Sequence, residues 1–156
     1  MLPLTITRSI DLHAPADAVW DAVGEARGLE RWLAGSLDLD LVPGRAGTLV
    51  EVDGTRRRIV ITDRIDGSRL GFVWWHEDRP DDASAVVIEV DHIDDGTRVT
   101  VTETADPVAV GSIASAGTAL VSLATVDDLA AIDRGWESRL SRLAGRTHPV
   151  AAAVGA

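Results

Sequence analysis

Cysteine, tyrosine and lysine are missing from this 156-residue chain, and phenylalanine and methionine occur once each. The lack of cysteine excludes disulfides, thiolate nucleophiles and cysteine-ligated metals. The lack of lysine leaves 15 scattered arginines as the whole basic complement, a compositional bias rather than a chemical signal. Positive charge is in short supply, with a formal net charge of −10. Phosphate backbones and anionic lipid surfaces repel such a chain unless its arginines gather on one face. The one basic run, Arg56-Arg57-Arg58, adjoins a hairpin signal and reads as a solvated strand end, so no nucleic-acid partner is expected.

Long apolar runs are also scarce. Residues 107–126 carry no charge, but they are mostly Ala, Ser, Gly and Thr, lack aromatic anchors and lie between Asp106 and Asp127. No membrane insertion is expected. Residues 1–10 show no basic segment followed by an apolar core, which points to a cytoplasmic location. His13, His76, His92 and His148 have no zinc-ligand spacing, no Gly-x-Ser-x-Gly elbow occurs, and neither Gly44–Gly47 nor 111–117 has phosphate-loop spacing. Neither a metal nor a cofactor is expected.

What is present is ordered alternation. Residues 4–13 place Leu4, Ile6, Ile10 and Leu12 on one face and Thr5, Thr7, Ser9 and Asp11 on the other, a half-buried strand with Arg8 on the apolar side. Pro15 suits a first helical position, and Ala16, Val19, Trp20 and Val23 follow at helical spacing. A second short helix over 27–33 stacks Leu29, Trp32 and Leu33. Three Asp-Gly pairs (53–54, 66–67 and 95–96) and Pro43-Gly44 then mark four turns of an antiparallel meander. The strands predicted between them are 36–42, 48–52, 57–65, 69–77, 84–93 and 97–104, with 77–83 as a polar loop. Leu70, Phe72, Trp74 and His76 share a face, as do Val86, Ile88, Val90 and His92, and Val99, Val101 and Glu103. A long helix over about 126–144 carries the stripe Leu129, Ile132, Trp136, Leu140 and Leu143, with Thr125 and Asp128 as a capping box. That stripe must lie against the sheet, because the helix is not stable alone.

This order, with the segments Ile10-Asp11-Leu12-His13-Ala14-Pro15 through Val19-Trp20, Leu29-Glu30-Arg31-Trp32-Leu33 and Leu41-Val42-Pro43-Gly44-Arg45-Ala46-Gly47, resembles the START-like (SRPBCC) superfamily. Further matches are Arg69-Leu70-Gly71-Phe72-Val73-Trp74-Trp75, the run Gly96 to Glu103, and Gly135-Trp136 to Leu140 and Leu143. Within it, the chain resembles the branch of homologues of the activator of the heat-shock-protein-90 ATPase, with polyketide cyclase/dehydrase-like domains. The resemblance implies an α+β helix-grip fold (START-like, Bet v 1-like). In it, a curved antiparallel sheet of about seven strands wraps a long C-terminal helix, with two short helices after the first strand. It implies one domain over 1–146, followed by a disordered tail over 147–156. Relatives bind lipids, sterols, hormones or polyketides, and a minority are cyclases or dehydratases. The branch name implies a chaperone partner, the weaker implication because the co-chaperone's additional N-terminal domain has no counterpart in these residues.

The candidate ligand-binding set is Trp32, Phe72, Trp74, His76, Ile88, Val101, Glu103, Leu129, Ile132 and Trp136, an aromatic-lined pocket with few polar groups. Each tryptophan taken singly is better explained as core filling, whereas the set taken together points to a cavity. A carboxyl facing an apolar cavity is pushed toward its neutral form, so Glu103, with His76, supplies the acid and base if the chain is an enzyme. The competing reading pairs Glu103 with Arg8, because the superfamily's first and last strands are neighbours. Binding of a small hydrophobic or aromatic molecule is the leading expectation. A cyclase or dehydratase and a co-chaperone-like interaction module are the alternatives. Residues 107–126 are either a lid over the pocket mouth or a packed extension of the helix.

Overall fold

The alternating N-terminal segment forms the edge of the sheet. In a computed structural model that describes residues 4–105 and 126–147, β1 (Leu4–Leu12) leads into α1 (Ala16–Val23), α2 (Ala26–Leu33) and six further strands. These are β2 (Ser36–Asp38), β3 (Ala46–Val50), β4 (Arg56–Ile65), β5 (Arg69–His76), β6 (Arg79–Ile93) and β7 (Gly96–Ala105), followed by α3 (Val126–Thr147). One antiparallel sheet results, in the order β1-β7-β6-β5-β4-β3-β2. The first strand therefore pairs with the last, Ile6 opposite Glu103 and Arg8 opposite Val101. This is the helix-grip architecture.

The four glycines of the turn signals, Gly44, Gly54, Gly67 and Gly96, all have positive φ. Gly96 is the most constrained, because a Cβ there would run into the Leu12 carbonyl oxygen of β1. Between the turns, period-2 burial separates the two faces. Leu70, Phe72 and Trp74 of β5, Ser84, Val86, Ile88 and Val90 of β6, and Thr97, Val99, Val101 and Glu103 of β7 are buried on the inner side. Trp136, Leu140 and Leu143 of α3 join them in one core with Val19, Val23, Leu29, Trp32 and Leu33 of the short helices. The helix packs on β1, α1 and α2. Trp32 ties this layer together, donating its indole N–H to the Ala22 carbonyl at 2.8 Å while its own carbonyl accepts from Arg142 Nε at 3.1 Å.

Several boundaries differ from the sequence reading. The polar stretch 77–83 is a loop only at Glu77 and Asp78, and β6 begins at Arg79, opposite His76. Strand pairing uses the backbone, so polar side chains do not prevent it. The extension lets Ala83 pack with Val73, Trp75 and Ala85 in a small apolar cluster on the outer face. Pro15 caps α1 with extended backbone instead of occupying its first turn. The last helix runs to Thr147. Thr125, the stretch 107–125 and the tail 148–156 lie outside the described residues. No helix among the described residues is long and apolar enough to cross a membrane.

Candidate functional site

Among the described residues Glu103 is the one fully buried carboxylate on the sheet's inner face, and its position follows from β7 alternation, two residues beyond Val101. It stands opposite Val86, so Ser84 is its diagonal neighbour, and Ser84 in turn stands opposite Trp74. This register converges three donors on one carboxylate. Trp74 Nε1 donates to Oε2 at 2.8 Å, the Ser84 hydroxyl donates to the same oxygen, and Trp136 Nε1 donates from α3 to Oε1 at 2.7 Å. The indoles of Trp74 and Trp136 stack with centroids 5.7 Å apart and planes 26° apart, and Phe72 meets Trp74 edge-on at 5.3 Å. Sheet and helix are thus joined through a carboxylate held between two tryptophans.

A second charged group completes the cluster. Arg139, one turn after Trp136 on α3, is buried and donates to Glu51 Oε1, while Arg57 Nε donates to Glu51 Oε2 at 2.7 Å. The guanidinium carbon of Arg57 lies 4.0 Å from the Trp74 ring centroid, and that of Arg139 lies 5.0 Å from Trp74 and 4.9 Å from Trp136. Burial pushes the Glu51 carboxyl up, but Arg57 and Arg139 outweigh it and hold the group below its ordinary 4.5. Burial moves Arg139 in the opposite sense, below its ordinary value, with Glu51 and Glu103 partly offsetting it. Two carboxylates and two guanidiniums, buried at Glu103 and Arg139 and half-buried at Glu51 and Arg57, make this cluster electrically balanced, the condition under which charges are tolerated in an interior.

The sequence candidates separate accordingly. Phe72, Trp74, Glu103 and Trp136 come together. Trp32 belongs to the short-helix layer, and Ile88 and Val101 face each other as plain core. His76 is half-buried at the β5–β6 hairpin, with its Nδ1 3.5 Å from Arg79 Nη2, and makes no hydrogen bond to Glu103. His92 shares the inward parity of β6 but is exposed, because that strand outruns the core. Leu129 and Ile132 lie on α3, their side chains outside the described residues. The expected Arg8–Glu103 pair is replaced. Arg8 Nη1 lies 3.8 Å from Glu137 of α3, because indole and hydroxyl donors already surround Glu103.

Sequence reasoning missed Glu51, Arg57, Ser84 and Arg139. Parity held the signal for each. Glu51 follows Leu49, Arg57 precedes Ile59 and Ile61, Ser84 precedes Val86, and Arg139 follows Trp136 by three. The basic run is correspondingly split, with Arg56 and Arg58 exposed and Arg57 turned inward. The tryptophans fill their space, and Trp32, Phe72, Trp74 and Trp136 are all under 2% exposed. Two surface hollows lie apart from the cluster, one lined by Thr55, Arg56, Glu77 and Asp78, the other including Leu12, His13, Asp94 and Arg98. Among the described residues, no group of three or more His, Asp or Glu is placed to hold a metal ion.

A family model described as polyketide cyclase / dehydrase and lipid transport matches residues 3–146. No protein of curated function matches the sequence. Among solved structures, DynU16, a putative protein of the dynemicin biosynthetic locus, is similar over 90% of this chain at 20% identity and a TM-score of 0.70. The match spans 45% of DynU16's own length. Bacillus halodurans BH1534 is similar at 23% identity over 94% of this chain and 99% of that one, with a TM-score of 0.69. The Aha1 dimer from Colwellia psychrerythraea is similar at 14% identity over 92% and 96%, also with a TM-score of 0.69. At these identities the structural likeness establishes the fold.

Proposed function

The chain belongs to the polyketide cyclase / dehydrase and lipid transport family of the START-like (SRPBCC) superfamily, and from that premise we propose that it binds a small hydrophobic or aromatic molecule between sheet and C-terminal helix without transforming it. One observation carries the reading. Glu103 is a buried acceptor flanked by two indoles, one on the sheet and one on the helix. A few polar groups among aromatic faces are what orient a small apolar ligand. An apolar core alone would not need this carboxylate, since burying one costs free energy that its partners only offset.

The same geometry supports a binding role for Glu103 over a general-acid role. All three hydrogen-bonded partners of Glu103 donate to it, so it serves as an acceptor at each contact, whereas a general acid must present a proton to its substrate. His76, the other group such a reaction would use, is hydrogen-bonded in the β5–β6 hairpin instead of to Glu103. Native mass spectrometry of freshly purified protein is the direct test, with an intact small molecule ejected on activation as the expected result. Turnover of an aromatic polyketone that disappears in both His76→Ala and Glu103→Gln would establish the enzyme instead.

A further inference from the structure

Arg57 and Arg139 come from elements far apart in sequence, β4 and α3, and meet on one carboxylate, that of Glu51. Each donates a single N–H to it, and among the described residues neither guanidinium makes another hydrogen bond. A guanidinium presents five N–H donors in a rigid fork suited to bidentate recognition of a carboxylate, so this pair is far from saturated. Both arginines lie over indole rings, Arg57 over Trp74 and Arg139 over Trp74 and Trp136.

The anion holding them is also the most displaceable member of the cluster. Glu51 lies one residue beyond β3 in the turn that contains Asp53 and Gly54, its side chain 17% exposed against 8% for Arg139. The turn is closed by its own backbone bonds, Glu51 N–H to the Thr55 carbonyl at 2.7 Å and Gly54 N–H to the Glu51 carbonyl at 2.9 Å. Rotating the side chain toward water therefore breaks no backbone hydrogen bond. It would leave two guanidiniums opposite Glu103 alone, and Glu103 takes its hydrogen bonds from indoles and a hydroxyl. The vacated position favours another anion strongly, because an uncompensated buried cation is costly.

We propose that Arg57 and Arg139 form an anion-binding subsite in which Glu51 is a built-in occupant, and that the ligand is an aromatic or apolar carboxylate whose anionic group takes Glu51's place. This rests on the ligand-binding reading above and narrows it to a charge class.

The test is calorimetric titration of the full chain with 2-naphthoate and its neutral counterpart 2-naphthamide. Wild type should favour naphthoate. Glu51→Gln keeps the shape and removes the competing charge, so naphthoate should bind about tenfold tighter or more, on the scale of one charge-assisted contact, with naphthamide unchanged. Adding Arg57→Gln to Glu51→Gln should cancel the gain, with near-ultraviolet circular dichroism confirming native tryptophan packing. If naphthamide binds but Glu51→Gln leaves naphthoate unimproved, or improves both probes equally, the anion subsite is wrong while ligand binding stands. If neither probe binds either protein, both readings fall.

Discussion

Replacing Trp136 with alanine strikes the seam between helix and sheet at its centre. The side chain is 1% exposed, stacks on Trp74 and donates to Glu103. Truncating a buried tryptophan costs about 3–5 kcal/mol. Loss of the donor to Glu103 Oε1, worth about 1.5–3 kcal/mol for a charged acceptor, overlaps with that figure because the same ring supplies both. The expected loss is therefore in the upper half of the range, about 4–5 kcal/mol. Trp136→Phe separates the contributions. It keeps most of the apolar ring but removes the N–H, and should cost about 2 kcal/mol. In a Glu103→Leu background the same change should cost at least about 1 kcal/mol less, since the acceptor it strands is gone. Urea denaturation followed by circular dichroism reads wild type and the four variants. With a slope of about 2 kcal/mol per molar, the alanine variant's midpoint should fall by roughly 2 M. A loss below about 1 kcal/mol at unchanged slope, the size of an ordinary modest substitution, would refute the placement of α3 over the sheet.

Glu51, held below its ordinary value in the folded chain, should contribute stability that is present above pH 4.5 and lost as pH falls through the depressed value. Thermal melts of wild type and Glu51→Gln between pH 7 and 3 should show a flatter acid limb in the variant, and parallel limbs would contradict the assignment. Gly96→Ala should destabilise by about 1–3 kcal/mol through backbone strain plus the collision with β1, and more than Gly54→Ala, whose Cβ would meet no atom within 4 Å. Equal melting temperatures for the two variants would refute that difference. Nucleic acid should not bind at physiological salt, given the net charge of −10 and a basic run divided between two faces. A strongly salt-dependent gel shift would overturn that expectation.

Local chemistry alone determined four of the chain's turns and the inward parity of β5 to β7. Three Asp-Gly pairs and Pro43-Gly44 mark positions that need positive φ, a requirement each dipeptide meets by itself. Alternation in β5 to β7 places Phe72, Trp74, Val101 and Glu103 on one face, because successive strand residues must point to opposite sides. The helical spacing of Trp136, Leu140 and Leu143 likewise required a sheet to cover it. Which inward residues meet was not decided at that level. Glu51 and Arg139 are 88 residues apart, and Trp136 and Glu103 are 33 apart. Their meeting depends on the sheet order, which sets β3 and β7 on either side of β4 to β6, and on the axial position of α3 across them. Parity could show that Arg8 and Glu103 both face inward, but not that Arg8 would reach Glu137 while two indoles closed on Glu103. Facing is a property of single strands and helices, whereas a charge's partner is decided among every donor within reach, and only the packed structure sets that competition.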